Sequence, residues 1–191
     1  KLYLDKIIYP DHKLMPQHRR WIGYTLKFAV TSLLHHSAGR EERFLAPFFA
    51  YYRHPEELDD AVAYQLLDAA AALPETVCSR RYITLLLRFA ETLSLRRDVP
   101  VRTAAVLLLD RLHRLDDPQS AALRAVERVR CDGSSTLRLL RQDVLAGGAP
   151  ITLPDDAVSE IFLDNLKTAT PWITKQANIR LLTDFARSGS S

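Results

Sequence analysis

Apolar positions along this 191-residue chain recur at intervals of three and four almost throughout, the period of amphipathic helices. No stretch alternates long enough to make a convincing strand. The clearest pattern runs from Arg80 to Leu115. Tyr82, Leu85, Leu86, Phe89 and Leu93 fall on one stripe, and Ile83, Leu87 and Ala90 widen it, so this helix is expected to be covered on more than one side. Arg81, Arg88 and Thr92 take the remaining face. Pro100 has a fixed φ and no amide hydrogen, which suits the first turn of a second helix, and Asp98 is placed to cap it. That helix carries Val101, Ala104, Ala105, Leu108 and Leu112 inward. Asp110 and Arg114 form an i,i+4 pair on its outside, worth about 0.2–0.5 kcal/mol.

The rest of the chain extends the same pattern. Tyr9-Pro10-Asp11-His12 reads as a turn, and Pro16 opens a helix to about His36 with Trp21, Tyr24, Phe28, Leu33 and Leu34 in its core. Glu41 to Tyr52 is a short aromatic helix interrupted at Pro47. Pro55 starts a helix to about Leu73, with Glu56, Glu57, Asp59 and Asp60 near its positive end. After the Asp116-Asp117-Pro118 turn come helices over Ala121 to Val129 and from Ser134 or Ser135 to about Leu145. Ala146 to Pro150 is a flexible stretch. Two more helices follow, from Asp155 to about Leu166 and from Pro171 to near Arg187.

The run Asp98-Val99-Pro100-Val101-Arg102-Thr103-Ala104-Ala105 resembles the inter-helix turn of HEAT repeats, where an aspartate, a Val-Arg pair and small residues open the second helix of each unit. The resemblance implies an all-α fold, a right-handed α-α superhelix or HEAT-like array of about nine helices. A non-repetitive helical bundle is the alternative. Helix–turn–helix units of roughly 35–45 residues are the usual period of such arrays. The expected organisation is a lead-in over 1–15 from a truncated preceding segment, a single helical-repeat domain over 16–187, and a disordered tail over 188–191.

Composition sharpens this picture in two places. Only six glycines, with abundant Ala and Leu, favour helices over sheets. No apolar run approaches the roughly 18 residues of a membrane span, and Lys1 to Pro10 lacks a signal-peptide pattern. Two cysteines, Cys78 and Cys131, are too few for a disulfide framework and read as ordinary thiols of a reducing, cytoplasmic compartment. The net charge of +3 is uneven: Arg80 to Arg141 holds thirteen arginines against seven acidic residues, and the flanking segments are slightly acidic. That concentration suggests either compositional bias or a basic stripe for an acidic partner or phosphates.

Candidate chemistry is sparse. The six histidines include no Glu-x-x-His or His-x-x-x-His pair, and adjacent His35 and His36 leave a helix about 100° apart, so no metal is expected. Cys78 lies beside Arg80 and Arg81, which favour thiolate, yet has no histidine nearby in sequence and reads as structural. Gly147-Gly148 lacks the lysine and hydroxyl of a phosphate loop. No catalytic residue and no cofactor are expected.

The first functional expectation is therefore a protein-interaction or scaffolding module of a larger intracellular protein, recognising another protein or another domain of its own chain through a helix face. Arg81, Arg88, Arg102, Arg124 and Arg128 are the candidate contacts. The alternatives are a helical accessory domain of a nucleotide-processing or phosphohydrolase enzyme, with the catalytic part outside these residues, and a nucleic-acid-binding solenoid using the arginine stripe. No membrane partner is expected.

Overall fold

The computed structural model describes residues 45–46, 48–73, 75, 80–116, 121–147, 153 and 155–188. The lead-in, the expected helix from Pro16 to His36, and Cys78 lie outside them.

Asp59 decides where the first described α-helix begins. Its Oδ1 accepts the Val62 amide at 2.8 Å, one of the orphan donors of a helix start. The helix expected from Pro55 is therefore split. Pro55–Glu57 makes a single 3-10 turn, Leu58 is extended, and α1 spans Asp60–Ala71. Before it, the aromatic segment ends in a 3-10 turn over Ala50–Tyr52. Phe49 stacks on Tyr82 at 3.9 Å between centroids and Tyr52 meets Phe89 edge-on at 4.7 Å. The Tyr52 hydroxyl donates to the Leu66 carbonyl at 2.9 Å, satisfying a polar group inside an apolar cluster.

α2 (Arg80–Ser94) and α3 (Val99–Asp116) form a hairpin. Asp98 Oδ1 accepts the Val101 amide at 2.9 Å, capping α3. α3 is buried on nearly every side: Val106 and Leu109 are covered as completely as Val101, Ala105 and Leu108. It touches α1, α2, α4 (Ala121–Glu127), α5 (Ser135–Ala146) and α7 (Trp172–Ser188). A helix that is apolar all round belongs in the middle of a fold, and Ala104 and Ala105 let neighbouring backbones come close.

Ser134 caps α5 through the Leu137 amide at 3.1 Å, and Gly147, at φ +62°, ends it in the left-handed conformation. α6 (Asp155–Leu166) packs chiefly on α7. The chain thus shows seven α-helices and no strand among the described residues, against about nine helices expected for its whole length. No described helix is long and apolar enough to cross a membrane.

Each described helix touches the next, the next but one, or both. α7 also reaches back beyond its second neighbour to touch α3. The apolar interior divides accordingly. A large core joins the aromatic cluster to α1–α5 and takes Ile173 and Ala177 from α7. A small one gathers Leu139, Leu153, Ile161 and Leu181, with Val158, Leu182 and Phe185 partly covered beside them.

Candidate functional site

Arginines were the sequence's candidates for contact, and the fold sends many of them elsewhere. A guanidinium presents several donors in a rigid fork, which suits the orphan carbonyls at helix ends and turns. Arg111 of α3 donates to the Ala71 and Leu73 carbonyls at the end of α1. Arg141 of α5 donates from Nε to the Val126 carbonyl at 3.1 Å and from Nη2 to the Glu127 carbonyl, closing the end of α4. Arg96 reaches Asp60 at 2.8 Å and the Pro55 carbonyl at 2.7 Å.

Arg102 is only 4% exposed. It donates to the carbonyls of Arg130, Asp132 at 3.2 Å and Arg97 at 3.4 Å, and so ties the turn before α3 to the turn before α5. Its inward position separates it from the other expected contacts. Arg88, Arg124 and Arg128 are exposed, while the Arg81 side chain lies outside the described residues. Arg128 meets Glu91 of α2 at 2.6 Å and donates from Nε to the Arg124 carbonyl at 3.1 Å. The structure therefore brings Arg124 and Arg128 beside the face of α2 that carries Arg88 one turn earlier. An acidic residue stands between them.

Asp110 also differs from expectation. It forms the expected i,i+4 pair with Arg114, yet it is 7% exposed and also takes α7's Arg180. Arg180 lies 2.7 Å from Asp110, 2.6 Å from Asp143 of α5 and 3.9 Å from Asp184 of its own helix, while Arg114 stays 3.2 Å from Asp110 on the wet side. Burial holds the Asp143 carboxyl above the usual aspartate range, against the opposing pull of Arg180, and the charges of Asp184 and Asp110 push the same way as burial. The cluster is an ionic clamp across three helices. Among the described residues no group of three or more His, Cys, Asp or Glu is arranged to hold a metal ion.

The feature that sequence reading missed is on the C-terminal hairpin. Phe162, Leu163 and Leu166 of α6 and Trp172 and Ile179 of α7 are each between 52% and 68% exposed. Their positions follow from helical geometry. On α7, residues 172, 179, 183 and 186 fall within a narrow sector opposite Ile173 and Ala177, which face the large core. The bond from Asn178 Nδ2 to Asn165 Oδ1, at 3.2 Å, sets α6 alongside α7, and 100° per residue then brings Phe162 and Leu166 to the same side of the hairpin as Ile179. An open groove of about 690 Å³ runs along that side, lined by Ile179, Leu182, Thr183, Ala186 and Arg187. The run Ile161-Phe162-Leu163 was the available signal: three consecutive large apolar residues cannot all face one neighbour.

No protein-family model matches the chain, and neither a curated protein nor a solved structure matches it.

Proposed function

We propose that this chain is a HEAT-like helical-repeat module that works as a protein-interaction or scaffolding unit inside the cell, as part of a larger protein. The observation that carries this reading is the outer face of the α6–α7 hairpin, where five large apolar side chains remain more than half exposed. Apolar surface concentrated on one element is the ordinary mark of a docking face. The repeat-like reading has support of its own. Helices touch their first and second neighbours along the chain, and Arg102 links successive turns through backbone carbonyls.

The contact surface in this reading is apolar, on α6–α7, with the arginines Arg88, Arg124 and Arg128 on a different part of the molecule. A pull-down from native lysate with the wild-type chain, Phe162→Asp and an Arg88→Ala/Arg124→Ala/Arg128→Ala triple variant separates the two surfaces. The expected result is a discrete partner, another protein or further copies of this chain, retained at high salt by wild type and the triple variant and lost with Phe162→Asp. Retention of nucleic acid alone, falling steeply as salt rises and abolished in the triple variant, overturns it in favour of a phosphate-binding solenoid.

A further inference from the structure

We propose that the α6–α7 hairpin is a latched, separable unit of this fold: Arg180 holds it to α3 and α5, and it undocks as one piece while α1–α5 stay folded. The latch lies on the inner side of the hairpin and is independent of what the outer face binds.

The division of the core is the first reason. α6 rests chiefly on α7, so the hairpin meets the rest of the molecule through α7. Only Ile173 and Ala177 of α7 enter the large core. In the small core Ile161 and Leu181 are the hairpin's own, Leu153 stands just before it, and Leu139 of α5 is the one buried member from the other side. Val158, Leu182 and Phe185 beside them also belong to the hairpin. Most of the apolar contact between α6 and α7 is therefore internal and outlasts a parting of α7 from α5. Sub-global opening follows such seams, because each piece keeps its own contacts.

The material of the seam is the second reason. The α2–α3 hairpin buries Leu86, Phe89 and Leu93 from one helix and Val101, Ala105 and Leu108 from the other. Across the α7 seam polar groups share the burial. Thr136 Oγ1 of α5 donates to Asn178 Oδ1 at 2.8 Å, and Asn178 is fully covered. Arg180 stands 2.7 Å from Asp110 of α3 and 2.6 Å from Asp143 of α5. The attraction of buried ions is offset by the cost of taking them from water, so such contacts fix geometry more than they add stability. On undocking both carboxylates and the guanidinium regain water, which makes this seam easier to open than an apolar one.

The latch also titrates. Around Asp143 stand Asp110 of α3, with His113 and Arg114 one turn on, and Arg180, Asp184 and Arg187 of α7. α4 packs on α5 as well, but at Arg141, about 200° around α5 from Asp143. Burial raises the Asp143 carboxyl in the docked state, Arg180 opposes it, and Asp184 and Asp110 add to it. The docked hairpin thus holds that proton more tightly than the undocked one. Docking is favoured in acid and loosens as pH rises through the docked value.

Native-state hydrogen exchange of the 191-residue chain, read by peptide-level mass spectrometry with and without low urea, tests the latch. Peptides of α6 and α7 are expected to exchange through one common opening, at least about tenfold more often than those of α2 and α3. That opening has the smaller urea dependence, because less surface is exposed. Arg180→Ala raises it by at least about a further tenfold and leaves α2 and α3 unchanged. Arg180→Lys, which keeps the charge but loses the fork that spans two carboxylates, gives a smaller increase in the same helices. After correction for the intrinsic pH dependence of exchange, wild-type opening of α6–α7 increases from mildly acidic to neutral pH, and Asp143→Asn removes that increase. Wild-type α6 and α7 exchanging only as slowly as α3 overturns the separable unit, as does an Arg180 effect spread equally over all helices. A pH dependence that persists in Asp143→Asn overturns the assignment of the titration to that carboxyl.

Discussion

α3 and α6 pose the same problem in sequence and receive different solutions. Both helices are apolar on more than one face. α3 is enclosed by α1, α2, α4, α5 and α7, and its Val106 and Leu109 are fully covered. α6 rests chiefly on α7, buries Ile161 in a small core, and leaves Phe162, Leu163 and Leu166 in water. An apolar sector states how many sides of a helix need a cover, and it is silent on whether that cover comes from the same molecule. The uncovered case is where recognition is to be sought.

The contrast breaks most visibly in stability. Leu109→Ala removes a fully buried side chain from the most enclosed helix, where five packed neighbours leave little room to collapse into the cavity. The expected loss is about 3–4 kcal/mol, read as a shift of the urea midpoint with unchanged slope. A loss under about 1 kcal/mol would mean that α3 is not the enclosed helix described here.

The clamp that holds the C-terminal hairpin to the middle of the molecule comes next. Arg180→Ala leaves Asp110 and Asp143 buried without their shared cation, at an expected cost of about 3 kcal/mol at neutral pH, the low end for such removals because Arg180 is itself partly wet. The pH dependence carries the sharper sign. Asp143's carboxyl sits above its ordinary range in the folded chain. The folded state therefore holds that proton more tightly than the unfolded one, so Asp143's contribution to stability is complete below the unfolded value near ~3.9. It is lost as pH rises through the higher folded value. Asp143→Asn, neutral at every pH, is expected to flatten that decline, measured as urea midpoints from acid to neutral pH. An unchanged profile would show that the charge of Asp143 is not held back by burial.

Much of this architecture was legible in the residues. The helical pattern among the described residues, the Asp98 cap, the inward set Val101, Ala104, Ala105, Leu108 and Leu112, and the end of a helix near Leu145 follow from local rules about period and capping, and the structure shows each of them. What local rules did not show depends on residues far apart in the chain. Arg111 reads as a surface charge until α1 ends forty residues earlier with unpaired carbonyls at Ala71 and Leu73. Asp110 reads as half of an exposed i,i+4 pair until Arg180 arrives from seventy residues away. Arg102 looks outward until the turn at Arg130 and Asp132 folds against it. The arginine excess between Arg80 and Arg141 is in part this internal hydrogen bonding, which composition alone cannot tell from a basic surface.

The smallest expected effect is the most diagnostic for the pair of helices compared here. Leu166→Ser takes a large apolar side chain, 68% exposed, off the outer face of α6. Nothing among the described residues covers most of it, so little transfer free energy is lost and no cavity forms. The expected change in unfolding free energy is within about 0.5 kcal/mol in either direction, measured on the chain alone. With a partner bound to the α6–α7 face, the same substitution acquires a cost, because mass action adds the binding free energy to apparent stability. A Leu166→Ser effect that is absent in the chain alone and grows with partner concentration places the missing cover of α6 on another molecule. An effect of about 2 kcal/mol or more in the chain alone would place it in this chain, and α6 would then be a second α3.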